Sequence, residues 1–100
     1  MISKVSILGI EYVVVYLEDL IKREGLYGDI DYNKQVIRID NSMNDDRKMR
    51  TIIHEVLHGI MESLGYSEIN YDEEKIQNIS NALYLLAVDN PGLLTLFGLR

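Results

Sequence analysis

Thr51-Ile52-Ile53-His54-Glu55-Val56-Leu57-His58-Gly59-Ile60 is the stretch on which the reading of this chain turns. It contains an H-E-x-x-H run, and four residues make a little over one helical turn. His54 and His58 therefore project from one helix face, where both imidazoles reach a single ion. Glu55 follows the first histidine, which puts its carboxylate beside a water held on that ion. The chain's two histidines are both used here, and shuffling its composition gives this arrangement in roughly 0.2% of cases. A hydrolytic zinc needs three protein ligands and one open position for water. The motif thus points to a Zn2+ site on His54 and His58, with Glu55 as the catalytic general base.

The surrounding pattern supports a helix. Asn44 is a suitable N-cap, and Asp45 and Asp46 follow where the helix dipole favours negative charge. Met49, Ile53, Val56, Ile60 and Leu64 repeat at helical spacing before Gly65 ends the run. A second helix is expected from about Asn70–Asp72, with Ile76, Ile79, Leu83 and Leu86 as its apolar positions. It ends before Asn90-Pro91-Gly92, and Leu93 to Phe97 is expected to pack as one extra turn. The first forty residues read as β-rich. One hairpin spans about 2–8 and 11–17 around Gly9, and a second turns at Asn33-Lys34, with Ile37 and Ile39 on one face. Glu18 to Glu24 is a short helix or a wide loop. The expectation is an α+β fold in one domain, residues 1–100. A small antiparallel β-sheet of two N-terminal hairpins packs on the H-E-x-x-H helix and a second helix.

The third ligand must be an oxygen donor, because the chain has no cysteine and no further histidine. Asp72, Glu73 and Glu74 open the second helix. Glu73 is favoured because it shares a face with Ile76 and Ser80, which turns it inward. A competing reading makes Asn70-x-x-Glu73 a capping box, and another makes Asp72 the N-cap. Tyr66 and Tyr71, in the loop between the helices, are candidate donors to a developing oxyanion, or simply packing aromatics, whereas Tyr84, about three turns beyond Glu73, is too far along the helix for direct contact. Arg50, four residues before His54, is a candidate for a substrate carboxylate, or otherwise a surface charge.

Composition narrows the function. Of 100 residues 26% are charged, and the net charge is −6, which argues against a nucleic-acid partner. The one basic cluster, Arg47, Lys48 and Arg50, sits beside Asp45 and Asp46 and reads as a mixed-charge helix start. The absence of cysteine fits a reducing compartment. Val5 to Leu17 is apolar, but Glu11 interrupts it and no small-residue cleavage site follows. No run reaches the ~18 apolar residues of a membrane span. A soluble, unprocessed, cytoplasmic protein with no membrane partner is expected.

A two-helix core with H-E-x-x-H on the first helix and an acidic ligand on the second resembles the glutamate-type zincins. The chain looks like a minimal zincin, similar to small phage-encoded and prophage-encoded proteins related to the ImmA/IrrE metallopeptidases. The resembling residues are Gln35-Val36-Ile37-Arg38-Ile39-Asp40, the stretch Thr51 to Ile60, Asp72-Glu73-Glu74-Lys75-Ile76, and Leu83 to Pro91. The Glu-Ala-Asn stretch of the larger relatives is missing from the ligand helix. The resemblance implies a zinc-dependent peptidase (metalloprotease) whose edge strand pairs with extended peptide. His54, His58 and Glu73 would be metal ligands, and Glu55 the base. It implies a protein or peptide substrate, the host cytoplasm as location if phage-encoded, and a phage protein as a further partner. The alternative is a non-catalytic phage structural or accessory binding module with a zinc-stabilised fold. The intact Glu55 favours the peptidase. The small size, without a second lobe to wall a cleft, favours the module.

Overall fold

Leu8 and Gly9 both adopt positive φ, +48° and +86°, the pattern of a type I′ turn whose twist matches the strands it joins. In the computed structural model, which describes residues 1–96 and 98, this turn closes a hairpin of β1 (Lys4–Ile7) and β2 (Ile10–Leu17). A short helix, α1 (Leu20–Glu24), then leads to a second hairpin of β3 (Gly28–Asp31) and β4 (Val36–Asp40). Its turn falls where the sequence places it, and the Asp31 carboxylate accepts from the backbone N–H groups of Asn33 and Lys34 at 3.0 and 2.9 Å.

The two expected hairpins are present within an α+β fold, but they join differently from a purely antiparallel sheet. The strand order is β1-β2-β4-β3, and β2 pairs with β4 in parallel. Chain direction explains this. The chain leaves β2 beside Asp40, and α1 with β3 carries it back to start β4 beside Val13. The apolar strand β4 takes the centre, where Ile37 and Ile39 are fully buried. The strand with Asp29 and Asp31 takes an edge, where charge discourages stray pairing.

Four helices follow: α2 (Asp45–Leu64), α3 (Ser67–Asn70), α4 (Glu73–Asp89) and α5 (Pro91–Leu96). Asn44 caps α2 by accepting from Arg47 N–H at 2.9 Å, and Gly65 ends it at φ +76°. The apolar tail forms α5, while Phe97 lies outside the described residues. Asp40 ties the strands to the helices. Fully buried, its carboxylate accepts from the Ser42 hydroxyl and from the backbone N–H groups of Ile21 and Ser42, which holds its pKa below the ordinary range.

The buried stripe of α2 is shifted from the expected one. Ile52, Glu55, Leu57 and Gly59 are buried, whereas Met49 and Leu64 are exposed. The helix packs on the sheet and on α4 at once, so burial spreads round it rather than following one row. Ile52 joins Ile7, Tyr12, Val14, Ile37 and Ile39 in the core, and Val56 and Ile60 pack against that cluster. On α4 only Ile76 of the four expected apolar positions is buried, together with Ser80; Ile79, Leu83 and Leu86 are exposed. Among the described residues α4 packs mainly on the sheet-backed α2, with the short helices α3 and α5 at its two ends.

Gly28 lets α2 come close to β3. A Cβ there would meet Arg38 O at 2.7 Å and Thr51 Cγ2 at 2.8 Å, the first a backbone atom with no room to yield. Gly28→Ala should therefore lower the unfolding free energy by about 1–3 kcal/mol. Gly92→Ala, with open space at its Cβ, should change it by less than about 0.5 kcal/mol. Urea unfolding of the two variants checks this.

Candidate metal centre

On a wheel of roughly 100° per residue, His54 and His58 fall between the α2 face on the sheet and the face on α4. Both rings are largely buried, with centroids 5.0 Å apart and planes at 66°. Across from them stands Glu73, the first residue of α4. Its Oε1 lies 2.7 Å from His58 Nε2 and its Oε2 3.2 Å from His54 Nε2. The three side chains offer one ligand atom each within 4.8 Å of one another. Donors on a tetrahedral ion at about 2.0–2.1 Å stand roughly 3.3 Å apart, so small shifts convert this hydrogen-bonded group into a two-imidazole, one-carboxylate shell. The group is able to hold a metal ion.

The three acidic candidates separate by position. Asp72 is the N-cap of α4, accepting from Lys75 N–H at 3.1 Å. Asn70 ends α3, so the capping box from Asn70 to Glu73 does not form. Glu74 is outside the converging group. The Glu73 side chain is not turned inward as its helical register suggests. It is 69% exposed and lies at the mouth of the site, reaching the histidines sideways while Ile76 and Ser80 are buried.

Asn70 is the residue that sequence reasoning missed as part of this site. It is buried, and its Oδ1 sits 2.7 Å from His58 Nδ1. Its amide nitrogen donates to Tyr32 Oη at 3.2 Å and to Glu62 at 3.3 Å. This network fixes the His58 ring with Nδ1 turned away and Nε2 facing the site, the role that outer partners of ligating histidines play. No spacing rule links Asn70 to His58, because the loop after α2 brings them together. His54 has no such partner: its Nδ1 is buried and unpaired among the described residues, and burial lowers its pKa.

Glu55 is 7% exposed, and its Oε2 lies 4.0 Å from His54 Nε2. Burial, then the nearby carboxylates of Glu73 and Asp29, push its pKa up to about 8. A carboxyl group that exchanges a proton near neutrality, beside a ligand group, suits general acid–base work. All four residues border one cleft of about 910 Å³. Its floor is α2, one wall is the segment Gly25 to Asp29, and the other is α4 with Glu73, Gln77 and Asn81. A cleft thus exists without a second lobe, which removes one argument for a non-catalytic module. Tyr66, Tyr71 and Tyr84 are not among its lining residues. Tyr66 and Tyr71 are exposed, and Tyr84 donates to Asp46.

The family model of the IrrE N-terminal-like domain, Peptidase_M78, matches residues 11–87. The chain belongs to this family. The match runs from β2 through most of α4 and so covers His54, Glu55, His58, Asn70 and Glu73 of this IrrE N-terminal-like domain. No curated protein and no solved structure matches the chain. No helix among the described residues is long and apolar enough to cross a membrane.

If Asn70 orients His58, Asn70→Ala should weaken zinc binding by about 10–100-fold while the far-ultraviolet spectrum stays native. Competition against a chromogenic chelator measures this. Unchanged affinity would reduce Asn70 to a packing residue.

Proposed function

We propose that this IrrE N-terminal-like domain is a zinc-dependent peptidase. The observation that carries the reading is the convergence of His54, His58 and Glu73 on one point, with Glu55 buried beside it in an open cleft. Two imidazoles and one carboxylate with room for water form a donor set suited to catalytic zinc. A zinc ion bound there supplies a water of lowered pKa and a Lewis acid for the substrate carbonyl.

The remaining work falls to the chain. Glu55, buried beside the histidines, takes the proton of the attacking water and delivers it to the leaving amine. Asn70 and Tyr32 hold the His58 ring. The edge strand β3 offers a place for the peptide. Tyr27 C=O accepts from Asp40 N–H at 2.9 Å, so Gly28 and Ile30 turn their backbone groups away from β4. An extended peptide fits such an edge by backbone pairing, with its scissile bond laid over α2.

Metal content and hydrolysis test the proposal together. Purified protein should carry about one zinc per chain, lost in His58→Ala and weakened in Glu73→Ala. Glu55→Gln should keep the zinc while cleavage of unstructured protein substrates falls at least about 100-fold. Zinc that raises the melting temperature of wild type without any cleavage would instead favour the non-catalytic module. Absence of bound zinc would sink both readings.

A pH series gives an independent check on Glu55 in metal-free protein. Its carboxyl keeps its proton up to about pH 8 when folded but ionises near 4.5 when unfolded. The folded state thus binds the extra proton between those values, and stability falls as pH rises through that window. The difference in unfolding free energy between wild type and Glu55→Gln should move against wild type by up to about 1.4 kcal/mol per pH unit. A difference that is flat from pH 5 to 8 would contradict the burial assigned to Glu55.

A further inference from the structure

The row of α2 that carries the histidines continues toward the helix start with Arg47 and Arg50, and both border the metal cleft. Arg50 is occupied. Its Nε donates to Asp46 at 3.0 Å, and its guanidinium lies 4.2 Å from the centroid of the Tyr84 ring. Asp29, the acid on the opposite wall, is likewise engaged by Arg38 at 2.5 Å. Arg47 differs. Its guanidinium lies 5.2 Å from the Tyr27 ring centroid, and no carboxylate pairs with it among the described residues. That end of the cleft therefore presents one cation, steadied by an aromatic face, beside acids already paired, in a chain of net charge −6. A guanidinium presents its donors as a planar fork that matches a carboxylate.

Position adds the length scale. Arg47 precedes His54 by seven residues, roughly 10 Å along the helix at 1.5 Å per residue. An extended peptide rises about 3.3 Å per residue, so this is the reach of about three residues. Tyr27, which holds the Arg47 guanidinium, immediately precedes Gly28 on the free edge of β3. A peptide paired along that edge would run toward the end of the cleft that Arg47 borders.

We propose that the Arg47 guanidinium forms a carboxylate-binding subsite that selects peptides bearing a negative charge about three residues from the scissile bond. The proposal deepens the peptidase reading and rests on it for the cleft's orientation. The carboxylate is that of an acidic side chain or a free C-terminus.

The test is a titration of isotope-labelled protein, followed through the arginine Nε–H signals, first metal-free and then with zinc added. Three probes are compared: N-acetyl-trialanine as the free acid, the same peptide as its amide, and N-acetyl-Ala-Glu-Ala amide. The signal missing from Arg47→Met assigns Arg47. At least one carboxylate probe should shift that signal with a dissociation constant about tenfold below that of the amide, as expected for a charge-assisted hydrogen bond. A response to the free acid alone identifies a C-terminus, and a response to the glutamate probe identifies an acidic side chain. Arg47→Met, judged folded by its backbone spectrum, should bind the three probes alike. Equal binding of all three by wild type, or a carboxylate preference that survives in Arg47→Met, would overturn the subsite. The histidine ring signals report zinc separately. A carboxylate preference with histidines indifferent to zinc would keep the subsite and remove the metallopeptidase reading.

Discussion

Two imidazoles on α2 and one carboxylate at the start of α4 converge on a single point, and their meeting depends on how the two helices are held. The histidines come from consecutive turns of a helix held on both flanks, so their positions are set by the core. Glu73 comes from the first residue of a second helix, so its position is set by how α4 is capped and crossed over α2. Asp72 supplies the cap, and Ile76, fully buried one turn later, fixes the approach. Were α4 to start one residue later, the Glu73 carboxylate would leave the histidines by roughly 100° of helix rotation.

The same crossing decides the chemistry of Glu55. A carboxyl group among apolar neighbours resists ionisation, and facing carboxylates from Glu73 and Asp29 strengthen that resistance. Such a group is costly to stability, and its one charged neighbour within 4.0 Å is the His54 ring. Its burial next to His54 fits the proton-transfer role proposed above.

Local rules made much of this legible in the sequence. Periodicity and caps marked α2 from Asn44 to Gly65, and the Leu8-Gly9 and Asn33-Lys34 turns marked both hairpins. The pairing of His54 with His58 followed from helix spacing, and elimination narrowed the third donor to Asp72, Glu73 or Glu74; the preference for Glu73 rested on an inward register that its exposed side chain does not have. Long-range choices were not legible. The parallel join of β2 and β4 depends on a crossover through α1 and β3, which no single segment encodes. Asn70 reached His58 only because the α2–α3 turn doubled back, and its side chain carried no periodic signal. The apolar row of α4 misled because hydrophobic spacing predicts a face but not whether another element covers it. Ile79, Leu83 and Leu86 keep helical spacing and remain exposed.

The attachment of α4 to α2 bears on what a metal held between the helices would do. Beyond Ile76 and Ser80, the hold of α4 on the rest of the fold includes the Tyr84–Asp46 hydrogen bond and the Glu73 contacts to the histidines. Surface hydrogen bonds and an exposed ion pair contribute little. A divalent ion sharing ligands from α2 and α4 would link the two helices at the mouth of the cleft. Metal binding and α4 docking would then be one equilibrium. Catalysis and stability would draw on the same three side chains, with the α2 histidines as the preformed half of the site and the exposed Glu73 as the half that closes it.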